Sequence, residues 1–151
     1  MRAVIQRVSE ASVAIEGQVK AAIGPGLLVL LGIEAADNEK DAEWLARKIP
    51  QIRIFPDAEG LMNKSVMDRE GEILLVSQFT LFGNLRKGTR PSFNRAAVPE
   101  KAAPLYAHFI GRLEAALGKP VGQGEFGAMM KIHLINDGPV TLIVDTKDKK
   151  L

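Results

Sequence analysis

The chain has 151 residues, 46% hydrophobic and 25% charged, which is the length and composition of one globular domain with its own core. It contains no cysteine, which excludes a disulfide scaffold, a thiolate nucleophile and a cysteine-ligated zinc or iron–sulfur site. The 20 Lys and Arg residues nearly balance the 18 Asp and Glu residues, so the net charge of +2 does not by itself indicate a nucleic-acid-binding protein. We interpret residues 1–151 as a single domain.

No segment predicts export or membrane insertion. Residues 1–8 alternate apolar and polar side chains, which is typical of a strand and not of a signal peptide. The longest mostly apolar run, residues 21–33, is shorter than the roughly 20 residues that cross a bilayer, and Gly24-Pro25-Gly26 interrupts it. We therefore expect a cytoplasmic protein without a membrane partner.

Strands dominate the predicted elements in the first half of the chain. They are expected at residues 2–8, 12–15, 18–23, 27–33 and 52–55. Glu16-Gly17 is expected to form a hairpin turn, and the continuous apolar run 27–33 is typical of a strand covered on both faces. Asp37 or Asn38 is expected to cap a helix that begins near Glu39, and Pro50 to end or kink it.

The second half of the chain is predicted to hold a strand over 72–82, a polar loop over 83–98, a helix over 100–117 and strands over 128–135 and 140–145. The helix carries an apolar stripe and ends at Gly118. Asn136-Asp137-Gly138-Pro139 is typical of a hairpin turn, and its Gly-Pro bond can be cis at modest cost. Many strands and two helices predict an α/β protein with sheets and helices on one side.

Histidine chemistry and metal binding have little support. His108 lies in a predicted helix and His133 in a predicted strand, and no spacing places either between a nucleophile and a carboxylate. No HExxH pattern or histidine-rich cluster occurs. Residues 122–127 match GxGxxG, but a strand follows them, so a phosphate would find no helix N-terminus there. We expect neither a metal nor a cofactor.

Two polar segments are the remaining candidates for a site. Ser77-Gln78-Phe79-Thr80 ends a predicted strand with two hydroxyls, an amide and an aromatic ring. It is either an ordinary alternating strand or a pocket wall whose main-chain N–H groups stabilise an oxyanion. The basic loop, residues 86–95, carries four positive charges and no acid. It is either a solvated loop or a phosphate-binding segment.

Taken together, the sequence resembles the D-aminoacyl-tRNA deacylases over essentially its whole length. The matching segments are residues 1–8, 77–81, 90–93, 126–128 and 136–141. Two positions depart from the family pattern: Thr89 stands where Asn is expected, and Pro50 lies at the first helix. The resemblance implies a three-layer β/β/α arrangement of mostly antiparallel or mixed, barrel-like sheets, with two main helices on one side.

The resemblance also implies an activity. The enzyme would hydrolyse the ester of D-aminoacyl-tRNA, and of glycyl-tRNA mischarged on alanine tRNA, and so act in chiral proofreading during translation. It would be a homodimer with an active site near the subunit interface. Its partner molecule would be the acceptor end of an aminoacyl-tRNA.

The family likeness assigns residues to that site. Ser77, Gln78, Phe79 and Thr80 would form the catalytic wall, with Phe79 or Thr80 N–H groups polarising the ester carbonyl. A cis pair, Gly138-Pro139, would enter the partner subunit's pocket and exclude L-aminoacyl groups. Arg7 would brace that loop, and Phe126 and Met130 would shape the pocket.

Three hypotheses are compatible with these residues. In the favoured one, the 2′-hydroxyl of the terminal adenosine assists hydrolysis. In the second, Thr80 is a covalent nucleophile of an esterase, which requires an activating base that the sequence does not show. In the third, the protein is a nonenzymatic tRNA-binding module that uses the basic loop.

Overall fold

A computed structural model describes residues 1–150 as a mixed α/β protein. Its helices are α1 (Glu39–Lys48) and α2 (Pro99–Leu117), and 3₁₀ turns lie at Ile49–Gln51 and Phe79–Phe82. Its strands are β1 (Arg2–Ile15), β2 (Gln18–Ile23), β3 (Gly26–Gly32), β4 (Phe55–Pro56), β5 (Met62–Lys64), β6 (Glu72–Ser77), β7 (Gly122–Gln123) and β8 (Lys131–Asp145). No helix within residues 1–150 is long and apolar enough to cross a bilayer.

Six of the strands form one sheet around β1. One edge of β1 pairs antiparallel with β3 along its first half and with β2 along its second half, while the other edge pairs with β8. Beyond β3 the sheet continues in parallel through β6 to β7. The sheet curls enough for β2 to approach β6 and β7, and β4 with β5 forms a separate ribbon.

Alternation along the central strands divides the interior into two cores. Leu27, Val29 and Leu31 of β3 face the layer of α1 and α2, whereas Leu28 faces the inside of the curled sheet. The inner core also contains Val8, Ala11, Val13, Ile23, Leu74 and Val76, and side chains of β8 pack against it. Both faces of β3 are therefore buried, and the predicted β/β/α layering and two-helix architecture are confirmed.

The ends of both helices follow from local sequence. Asn38 caps α1, since its Oδ1 accepts hydrogen bonds from Lys40 N at 2.9 Å and Asp41 N at 3.4 Å. α1 ends at Lys48 and Pro50 lies in the 3₁₀ turn Ile49–Gln51 that follows, so the predicted end of the helix near Pro50 is confirmed. Gly118 ends α2 with a φ of +84°, a conformation that costs glycine little.

Several predicted strands were wrong in their bounds. Those predicted over 2–8 and 12–15 are one strand, β1. The strand predicted over 52–55 is represented only by Phe55, where β4 begins. The strand predicted over 72–82 ends at Ser77, because its partner β3 ends at Gly32 and the chain then turns with i to i+3 hydrogen bonds. The two last strands are one strand, β8, and both its halves pair with β1 in the same direction, so 136–139 is no hairpin.

Candidate active site

A pocket of about 620 Å³ opens at the carboxyl end of β6. Its walls come from the ends of β3 and β6, the following 3₁₀ turn, the start of α2 and the segment that leads into β8. The lining residues are Leu31, Ile33, Val76, Ser77, Gln78, Phe79, Thr80, Ala97, Pro99, Ala102, Phe126, Gly127, Ala128, Met129, Met130 and Ile132. The pocket is therefore mostly apolar, with polar groups concentrated on one wall.

That polar wall is the predicted segment Ser77–Thr80. Gln78 N donates to Leu31 O at 2.7 Å, which fixes the wall to the end of β3. The Gln78 side chain donates to the Thr80 hydroxyl. The exposed Phe79 ring packs edge-on against Phe93, with ring centroids 5.2 Å apart.

The backbone of the same wall presents free donors. In the turn Phe79–Phe82 the first internal hydrogen bond runs from Leu81 N to Gln78 O at 3.2 Å. The N–H groups of Phe79 and Thr80 precede that bond and have no partner within the turn, as at any helix start. Both residues line the pocket, and main-chain N–H groups are the kind of donor that stabilises an oxyanion.

The pocket lacks side-chain acids and bases. None of its lining residues is ionisable. The one tyrosine, Tyr106, does not line the pocket, but its ring centroid lies 5.6 Å from that of the lining residue Phe126. Burial raises the pKa of Tyr106 to about 12, so this hydroxyl is neutral at physiological pH. Within one chain, the pocket thus offers shape and hydrogen-bond donors but no general base.

The predicted Gly138-Pro139 pair lies outside the pocket of its own chain. The register of β8 on β1 passes from Thr141 to Asn136, so residues 137–140 loop out of the ladder. The Gly138-Pro139 peptide bond is cis, and both residues are exposed. The loop is closed at its base, because Val140 N donates to Asn136 Oδ1 at 2.8 Å.

Arg7 connects this loop to the rest of the molecule. Its Nε donates to Asp137 O at 2.8 Å, and its Nη1 donates to Ile54 O at 2.6 Å. The guanidinium therefore ties the looped-out segment to the irregular chain before β4. Such a forked contact holds a loop in one position better than a single bond would.

Sequence reasoning missed one cluster of titratable side chains. Glu39, Glu43 and His108 place ligand atoms within 4.8 Å of one another, and His108 Nε2 lies 3.5 Å from Glu43 Oε1. His133 contacts Glu10 at 3.2 Å. None of these residues lines the pocket, and each histidine is far along the chain from the glutamate that it contacts.

The sequence also gave little sign of several lining residues. Ala97, Pro99 and Ala102 enter the pocket from the start of α2, and Met129 is 91% exposed at its rim. A detectable signal was the complete lack of Asp and Glu between Glu72 and Glu100, which covers the polar wall and the basic loop.

Comparison with known proteins places this geometry in a family. The model of the family described as D-Tyr-tRNA(Tyr) deacylase matches residues 4–145. The D-aminoacyl-tRNA deacylase of Bacteroides thetaiotaomicron is 55% identical over 150 residues, which are 99% of this chain and 100% of that protein. The D-aminoacyl-tRNA deacylase of Opitutus terrae is 60% identical over 146 residues, 97% of each chain.

Solved structures share the same fold. A structure described as c-Myc DNA Unwinding Element Binding Protein matches with a TM-score of 0.91 and 44% identity, over 96% of this chain and 98% of that chain. A structure described as a probable eukaryotic D-amino acid tRNA deacylase matches with a TM-score of 0.81 over 95% and 97% of the two chains, at 19% identity. With nearly all of its length matched, this chain belongs to the D-Tyr-tRNA(Tyr) deacylase family.

Proposed function

We propose that the protein hydrolyses the ester that joins a D-amino acid to the terminal adenosine of tRNA, and that glycyl-tRNA mischarged on alanine tRNA is a second substrate. The products are free amino acid and tRNA, so the activity is chiral proofreading in translation. The observation that carries the proposal is the pocket of a deacylase-family chain, whose lining has hydrogen-bond donors but no ionisable side chain.

The proposed chemistry relies on the substrate for its acid–base step. An aminoacyl ester is already activated, and the neighbouring 2′-hydroxyl of adenosine can assist the water that attacks the carbonyl carbon. The N–H groups of Phe79 and Thr80 would hold the oxyanion as it forms. The bond between the carbonyl carbon and the ribose oxygen then breaks, and the ribose oxygen takes up a proton. Ser77 and Gln78 would keep the wall in position.

Discrimination against L-aminoacyl groups would come from exclusion. D- and L-aminoacyl esters differ in the direction in which the side chain leaves the α-carbon. We assign the Gly138-Pro139 loop to the pocket of a second copy in a homodimer, where its carbonyl groups hold the α-ammonium and leave no space for an L side chain. Three features support this assignment: the loop is exposed, it does not line its own pocket, and Arg7 anchors it.

Two other functions have less support. A Thr80 esterase needs a base beside the hydroxyl, whereas the Thr80 hydroxyl accepts from the amide of Gln78 and no ionisable side chain shares the pocket. A nonenzymatic tRNA-binding module would bind tRNA without releasing the amino acid, which leaves the donors on Phe79 and Thr80 without a role.

The decisive experiment compares the D and L forms of one aminoacyl-tRNA. We expect the D form and glycyl-tRNA to be deacylated, and the L form to decay at the spontaneous rate measured without protein. Phe126 and Met130 line the pocket. The same assay with D side chains of different sizes therefore measures how far the pocket limits the size of the substrate. Equal enzymatic rates on the D and L forms would reject the chiral function, and binding without any hydrolysis would favour the tRNA-binding module.

A further inference from the structure

We propose that the basic loop, residues 86–95, is the electrostatic docking site for the phosphodiester backbone of the acceptor end of the tRNA, with Arg86, Lys87 and Arg90 as the contacting cations. This inference rests on the proposed function, because it names how the polynucleotide part of that substrate is held. It assigns substrate affinity to a surface that does not line the pocket.

The position of the loop in the chain favours this role. The loop leaves the pocket wall just after the turn Phe79–Phe82 and returns to the pocket at Ala97. Ala97 N donates to Ile33 O at 2.9 Å, and both residues line the pocket. Phe93 of the loop packs on Phe79 of the wall. The loop therefore adjoins the pocket, on a side from which the polynucleotide of a bound substrate can reach it.

Short-range hydrogen bonds shape the loop. Asn84 and Ser92 exchange backbone hydrogen bonds of 2.8 and 3.0 Å, and Arg86 N donates to Asn84 Oδ1 at 2.9 Å. Residues 86–90, between these bonds, are all exposed. These hydrogen bonds hold the two ends of the loop together, so the loop loses less conformational freedom when a ligand binds its cations.

The charges of the loop divide into one structural cation and three available ones. Arg95 pairs with Glu34 at 2.9 Å and lies over the Phe82 ring, so it supports the fold. No ion pair among residues 1–150 involves Arg86, Lys87 or Arg90. No acid occurs in the chain between Glu72 and Glu100, and Glu34 is paired with Arg95. The loop therefore carries a net positive charge at this edge of the pocket.

The size of the effect follows from counterion release. Each phosphate contact changes the slope of log affinity against log salt by about −0.7 for single strands and −0.9 for duplex. With three such contacts, raising salt from about 50 to 200 mM should weaken tRNA binding by the unmodified protein about 20- to 40-fold more than binding by a variant without the three cations. The change is expected in KM and not in kcat, because the contacts hold ground state and transition state alike.

The test uses two substrates that share one ester. They are a full D-aminoacyl-tRNA and the same D-amino acid esterified to adenosine alone. The variant carries Arg86→Gln, Lys87→Gln and Arg90→Gln together. A matched control carries Lys20→Gln, Lys64→Gln and Arg112→Gln, which remove the same charge from exposed positions that do not line the pocket.

We expect the loop variant to show a raised KM and a flatter salt dependence on D-aminoacyl-tRNA, and unchanged hydrolysis of the adenosine ester. The control variant should behave like the normal protein on both substrates. Equal losses on the two substrates, or no loss on the full tRNA, would overturn the docking role. If the unmodified protein hydrolyses neither substrate, the proposed function itself is wrong, and this result is distinguishable from a failure of the docking role alone.

Discussion

Replacing Gly138 by alanine tests whether the looped-out segment must keep one position. Gly138 has a φ of +143°, and an added Cβ would lie 2.8 Å from Val140 Cγ2, 3.0 Å from Val140 N and 3.1 Å from Arg7 Nη2. Two of these atoms cannot move without breaking a hydrogen bond, because Val140 N donates to Asn136 Oδ1 and the Arg7 guanidinium donates to Asp137 O. The alanine must therefore displace the loop.

Two magnitudes follow for this substitution. A non-glycine residue in such a backbone conformation costs about 1–3 kcal/mol, which corresponds to a fall in Tm of about 2–12 °C for a chain of this size. A loop shifted by about 1 Å in an active site costs about 100-fold in turnover. We expect both effects, measured by thermal unfolding and by deacylation of D-aminoacyl-tRNA well below the Tm of the variant.

Gly17→Ala is the matched control for strain alone. Gly17 has a φ of +77° in the turn between β1 and β2, and nothing lies within 4 Å of an added Cβ. It should cost about 1–2 kcal/mol in stability and leave deacylation unchanged. If Gly138→Ala deacylates D-aminoacyl-tRNA as fast as the unmodified protein, the position of the loop does not matter, and the exclusion argument is wrong.

Two further predictions concern the wall and the fold. Thr80→Ala should keep near-normal turnover of D-aminoacyl-tRNA, whereas a covalent Thr80 mechanism predicts a loss of about 10⁴- to 10⁶-fold in single-turnover rates. Burial raises the pKa of Asp145, but hydrogen bonds from Lys147 N and Arg2 outweigh it and hold that pKa below its usual value. The carboxylate therefore stabilises the fold above pH 4, and this contribution is lost as pH falls through the lowered pKa. Asp145→Asn should reduce the free energy of unfolding at pH 7 by about 1.5–3 kcal/mol and the difference should shrink below pH 4, as urea unfolding at several pH values would show.

Local sequence determined most of the regular elements of this protein. Asn38, Pro50 and Gly118 act within their own turns of chain, so the helix limits could be placed to within a residue or so. The buried strand β3 was predictable because both of its faces are covered, which requires a continuous apolar run. These features depend on backbone conformation and hydrophobic periodicity, and both are local properties.

The candidate site was only partly predictable, and its residues came from family resemblance more than from spacing. The wall Ser77–Thr80 lines the pocket. Its strand ends at Ser77, where β3 also ends, and a 3₁₀ turn begins at Phe79, which the sequence of the wall does not show. Phe126 and Met130 also line the pocket, but spacing alone did not connect them to a wall some 50 residues earlier.

Tertiary structure alone decided what becomes of Asn136-Asp137-Gly138-Pro139. As an isolated peptide this sequence is suited to a hairpin that reverses the chain. In the protein, β1 offers one continuous edge to both halves of β8. Pairing with that edge at Asn136 and again at Thr141 keeps the chain direction and forces residues 137–140 outward. The separation of this loop from the pocket of its own chain, and its attachment to Arg7, follow from that long-range pairing. Long-range pairing of this kind leaves no periodic signal in the sequence.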